Sequence, residues 1–201
     1  MNHVKTLVLR CHRETLEALA PLAREGLGVD IRPGQSLRRT MEIDLGFCPA
    51  CVEERIQTVF LDGSPVDDID NAAASPGCTL ALAAAMPGVA GIAMRRGSPV
   101  GAFREGVTHH ASTPAGSSHA DGPARQRITL KLFNFVAVEC LAWVLEQGAE
   151  VPAVRLAEVL EERSDEFAGA GFECEGRTVS FSGATAALRE TDGPVRLKAL
   201  L

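Results

Sequence analysis

Residues 58–68 read TVFLDGSPVDD, and residues 172–179 read FECEGRTV. Each stretch sets an Xaa-Gly pair, Asp62-Gly63 or Glu175-Gly176, between short runs that include β-branched or aromatic side chains. This is the signature of a two-residue hairpin, whose central positions need positive φ and therefore favour glycine. Two such hairpins in one chain suggest two sheets, so the surrounding sequence is best read as a pair of similar halves.

Upstream of the first hairpin, Lys5–Arg10 (KTLVLR) and Val29–Arg32 (VDIR) read as strands. Ser36 is placed to cap a helix through LRRTMEIDLG, where Leu37, Met41 and Leu45 recur on one face, and Gly46 is placed to stop it. Pro76-Gly77 then turns the chain into a last strand, Cys78–Ala84 (CTLALAA). In the second half, Arg127–Phe133 (RITLKLF) alternates as a half-buried strand does. Val136–Gln147 and Val154–Arg163 carry helical spacing, and Val195–Leu200 (VRLKAL) closes the chain as a strand after Asp192-Gly193.

Between these halves the pattern changes. Residues 97–126, GSPVGAFREGVTHHASTPAGSSHADGPARQ, lack periodicity and are dominated by small, polar and turn-forming residues. Such a stretch buries too little to offset its ordering entropy and reads as a linker. The expected organisation is a first domain at 1–96, a flexible linker at 97–125 and a second domain at 126–201.

The order of elements in each half resembles the β-grasp, or ubiquitin-like, fold of the sulfur carriers of molybdopterin and thiamine synthesis. The resemblance rests on ITLKLF, RLAEVLEER, CEGRTV and TDGPVRL in the second half. In the first half it rests on VDIRPGQSLRRTMEIDLG, TVFLDGSPVDD and GCTLALAAAMPGVAG. It implies an α+β chain of two β-grasp domains, each a mixed sheet packed on a helix. The family's chemistry would need a C-terminal Gly-Gly tail, whose carboxylate is adenylated and converted to a thiocarboxylate. The second half ends in Lys198-Ala199-Leu200-Leu201, and the first carries Gly88 and Gly91 in MPGVAG with the chain continuing past them. A carrier role would therefore require cleavage after Gly91.

Composition narrows the function classes. The 201 residues include 26 acidic and 20 basic side chains, a formal charge of −6, with one Trp and no Tyr. That balance lacks the basic footprint and stacking platforms of a nucleic-acid binder. The most apolar stretch, Cys78–Met94, is broken by Pro87, Gly88 and Gly91, so no membrane span is expected and the chain reads as cytoplasmic.

The compact motif is FCPACVEE at residues 47–54. Cys48 and Cys51 are spaced to act as a redox pair or to supply two of the four ligands of a zinc site, and the plainer reading is that they are unligated thiols with only a structural place. His109, His110 and His119 fall in the linker, and Asp67, Asp68 and Asp70 form a small acidic turn. Arg95 and Arg96, with Gly88 and Gly91, are candidates for an interaction or processing site. With no phosphate loop, nucleotide fingerprint, GxSxG or HExxH motif in the sequence, a non-catalytic binding or adaptor protein with a protein partner is the leading expectation. A redox or metal-binding protein using Cys48 and Cys51, and a cleavable carrier precursor, are the alternatives.

Overall fold

A computed structural model describes residues 5–99 and 125–201. Most of the expected linker, with Arg104 and the three histidines, lies outside the described residues. In chain order the elements are β1 (Thr6–Arg10), α1 (Ala20–Glu25), β2 (Leu27–Ile31), α2 (Leu37–Arg39), β3 (Thr58–Leu61), β4 (Ser64–Pro65), β5 (Thr79–Ala83) and α3 (Gly88–Met94). They continue as β6 (Gln126–Leu132), α4 (Asn134–Gln147), β7 (Ala149–Pro152), α5 (Ala153–Glu162), β8 (Gly171–Cys174), β9 (Arg177–Val179), α6 (Phe181–Arg189) and β10 (Pro194–Leu200). Wider helical turns at Thr40–Asp44 and Cys51–Arg55 extend or follow α2.

The chain is α+β. It divides into two compact units, Met1–Gly28 with Ala137–Leu201, and Val29–Val136. These are not the halves suggested by composition. Residues 5–28 lie with the C-terminal elements, and β6 lies with residues 29–99 instead of opening a C-terminal domain at residue 126.

In the first unit the strands run β7-β10-β1-β8-β9. β1 and β10 are parallel, with Leu7 opposite Leu197 and Leu9 opposite Ala199. β7 pairs antiparallel with β10, and β8 with both β1 and β9. Leu7, Leu9, Val195, Leu197 and Ala199 are all buried, as period-two alternation requires of strands with one covered face. Ala153, Leu156, Ala157, Val159 and Leu160 of α5 are also buried. Each leucine so placed contributes roughly 1.5–3 kcal/mol through removal of its side chain from water.

The parallel partner of β10 is thus β1, drawn from the other end of the chain, and not β6. Each of these strands presents the same alternation of apolar residues. That alternation selects a face for each strand but does not choose its neighbour.

In the second unit the order is β4-β3-β5-β6. β3 pairs antiparallel with β4 and β5, while β5 and β6 run parallel with Leu80 opposite Leu130 and Leu82 opposite Leu132. All four leucines are buried. Both expected hairpins form, with positive φ at Asp62, Gly63, Glu175 and Gly176. Ser36 caps α2 as expected, its Oγ accepting from the Arg39 amide, and Gly46 leaves the following turn at φ +76°. Elements α3, β7 and α6 have no counterpart in the sequence reading. Among the described residues, no helix is long and apolar enough to cross a membrane.

Candidate functional site

The second unit carries the Cys-x-x-Cys motif on a short helical turn over residues 49–55. Phe47 is buried just before it, with its amide donating to the Met41 carbonyl at 3.0 Å. Cys51, Val52 and Ile56 are buried from within or just after the turn. These apolar anchors fix the segment against the core and leave Cys48, Pro49 and Ala50 on the surface.

Cys48 stands where a helix N-cap stands. Its carbonyl accepts the Val52 amide at 3.1 Å, and its Sγ accepts the Cys51 amide at 3.2 Å. Pro49 occupies the first helical position, where its missing N–H costs nothing and its fixed φ suits the turn. Cys48 therefore fills with sulfur the role that Ser, Thr or Asp usually fills with oxygen. The result is an asymmetric pair, with Cys48 exposed and Cys51 only 4% exposed.

Two arginines hold the turn from outside. Arg38 donates from Nε to Asp70 at 2.6 Å and from Nη1 to Glu53 at 3.1 Å, tying α2 to the turn. Its pKa is raised above the ordinary value, chiefly by the hydrogen bond to Asp70. Arg96 donates from Nη2 to the carbonyls of Val52 (2.9 Å) and Ile56 (2.8 Å), and from Nε to Ile56 (3.2 Å). Burial draws its pKa below the ordinary arginine value, while Glu53 opposes that shift.

The other residues singled out from sequence are placed differently. Gly88 opens α3 at φ +81°, and Gly91 lies buried within that helix. A Cβ on Gly91 would sit 2.1 Å from the Met86 carbonyl oxygen, so the close approach requires glycine. MPGVAG is consequently a turn leading into a helix and not an extended tail. Arg95 is exposed at the end of α3. Asp68 caps its own turn by accepting the Asp70 and Asn71 amides, and these bonds, led by the Asn71 side chain, lower its pKa. Among the described residues, no group of three or more His, Cys, Asp or Glu side chains is arranged to hold a metal ion.

All six cysteines are thiols, and their surroundings separate them. Burial pushes Cys11 up to about 11 and also raises Cys78 and Cys174, with Asp62 and Glu175 adding to the last two. Because the thiolate is the nucleophile, those three are suppressed at neutral pH, while burial shields Cys51 and Cys140. Brief alkylation of the native protein at pH 7 is expected to modify Cys48 first, read by peptide mass. Equal or faster labelling of Cys11 or Cys174 would contradict that order.

The N-cap position of Cys48 was missed in the sequence, where the pair was read as following a helix and a glycine. Its signals were local: Pro49 directly after Cys48, and Glu53 and Glu54 in the turn that follows. The contact from Arg96 left no such signal. No family model matches the chain, and no curated protein or solved structure matches it.

Proposed function

We propose that the chain is a dithiol–disulfide exchange protein whose working pair is Cys48 and Cys51. The observation that carries this reading is the 3.2 Å hydrogen bond from the Cys51 amide to the exposed Cys48 sulfur. That bond fixes the Cys48 sulfur at the open head of the turn, where a partner disulfide can reach it. The buried Cys51 follows three residues later on the same helical turn, where Cβ atoms stand about 5–6 Å apart, so the turn must contract to the roughly 3.5–4.5 Å that a disulfide spans.

The exchange balances without any further group. The Cys48 thiolate attacks one sulfur of a partner disulfide, forming a mixed disulfide and releasing the other sulfur as a thiolate. Cys51 then attacks Cys48 Sγ, expels the second partner thiolate and closes the Cys48–Cys51 bond. Two electrons pass to the partner, and the two protein thiols give up their protons. The expected protein partner becomes, on this reading, the bearer of the disulfide.

Titration against mixtures of reduced and oxidised glutathione tests the proposal. The expected result is a reversible two-electron transition between dithiol and internal disulfide. Oxidation that halts at a stable glutathione adduct on Cys48 would refute it.

Non-catalytic partner binding retains one support. Val89 and Ile92 on α3 and Phe135 at the start of α4 are 82%, 53% and 75% exposed. A β-grasp origin for the first unit also has one support: its first and last strands, β1 and β10, lie side by side and parallel, with the β8–β9 hairpin at the edge.

A further inference from the structure

Arg96 is bonded to the far end of the turn that carries both cysteines. A helical turn leaves its last carbonyls without intrahelical donors. Here the Val52 and Ile56 carbonyls receive the Arg96 guanidinium, and the Arg96 amide donates to Gln57 O at 2.8 Å. The side chain and the backbone of one residue therefore fix residues 52–57 together. Cys51 lies immediately before Val52, and the Ile56 amide donates back to the Cys51 carbonyl at 3.1 Å. The direction of the Cys51 amide, and hence its bond to Cys48 Sγ, is set by a turn whose other end Arg96 holds.

Resting on the dithiol reading, we propose that Arg96 is the positioning residue that sets the redox equilibrium of the Cys48–Cys51 pair. A held turn keeps the amide on the reduced sulfur, which stabilises the dithiol state. The same hold resists the contraction needed to close the disulfide. Both effects make the pair more oxidising than an unrestrained Cys-x-x-Cys, because whatever stabilises the reduced form raises the potential. An arginine suits the task because its planar fork reaches two carbonyls at once, which a lysine point charge cannot match.

The test compares wild type, Arg96→Met and Arg96→Lys in glutathione redox buffers, with hydrogen exchange at the Val52 and Ile56 amides as a second readout. Arg96→Met is expected to shift the equilibrium toward disulfide by about threefold to tenfold, the range of one lost hydrogen bond. It should also speed exchange at both amides. Arg96→Lys should fall between, and it carries the test if Arg96→Met does not fold. A variant whose equilibrium matches wild type, or moves toward dithiol, overturns the role of Arg96 while leaving the dithiol reading intact. A wild type that never closes the Cys48–Cys51 bond overturns that reading itself, and the role of Arg96 with it.

Discussion

Replacing Cys51 with Ser should turn the Cys48 mixed disulfide from a passing intermediate into an end point. In the native protein Cys51 sits three residues away on the same turn, and its amide already contacts Cys48 Sγ at 3.2 Å. An intramolecular nucleophile so placed works at an effective concentration far above any external thiol; well-oriented groups reach ~10⁵ M or more. Glutathione bound to Cys48 should therefore leave the Cys51→Ser protein at least about 100-fold more slowly than it leaves wild type, even allowing for imperfect alignment. Intact-mass measurements over time would follow the adduct. Equal release rates would show that Cys51 does not resolve the bond, whatever its position.

The other large effect concerns stability of the second unit. Asp44 ends the wide turn ahead of the cysteines, and its side chain is fully buried. Its carboxylate accepts from the Arg32 amide at 3.0 Å, Arg32 Nε at 2.8 Å and Gln35 Nε2 at 2.9 Å. Asp44→Ala would strand three donors at once. Removing one member of a fully buried ion pair costs about 3–5 kcal/mol, but Arg32 is 48% exposed and can recover water. A loss of about 2–3 kcal/mol is expected for Asp44→Ala, and a smaller one for Asp44→Asn, which keeps an acceptor. Urea unfolding would measure both. A change below about 0.5 kcal/mol, the size of an ordinary surface substitution, would show that the carboxylate does not anchor the turn.

What could be read in advance was governed by range along the chain. Asp62-Gly63 and Glu175-Gly176 announce hairpins because the constraint on φ lies in the two turn residues themselves. Ser36 announces its helix because a cap reaches only three residues ahead. The pairing of β1 with β10 joins Thr6 to Arg196, and no local pattern distinguishes β10 from the other alternating strands as a partner. Helix α6 was hidden for a different reason. Its sequence FSGATAALR contains Gly183 and Thr185, poor helix formers, and it holds through the Ser180 cap and the burial of Ala184, Thr185 and Leu188.

The candidate site divides in the same way. The Cys48–Cys51 spacing is visible in the sequence, and so is the proline that makes Cys48 an N-cap. Their asymmetry of exposure is not, since it depends on Phe47, Val52 and Ile56 finding the core. Nor is Arg96, which lies 40 residues beyond Ile56, the carbonyl it grips.

A tryptic map of the native protein after oxidation by glutathione disulfide tests the dithiol reading most directly. Trypsin should release residues 40–55, TMEIDLGFCPACVEER, as one peptide holding both cysteines, with Cys11, Cys78, Cys140 and Cys174 on others. The expected result is this peptide lighter by two hydrogens, unmodified by alkylating agent until it is reduced. Finding Cys48 joined instead to another peptide, or both thiols still open to alkylation, would contradict the proposal that Cys48 and Cys51 form the working pair.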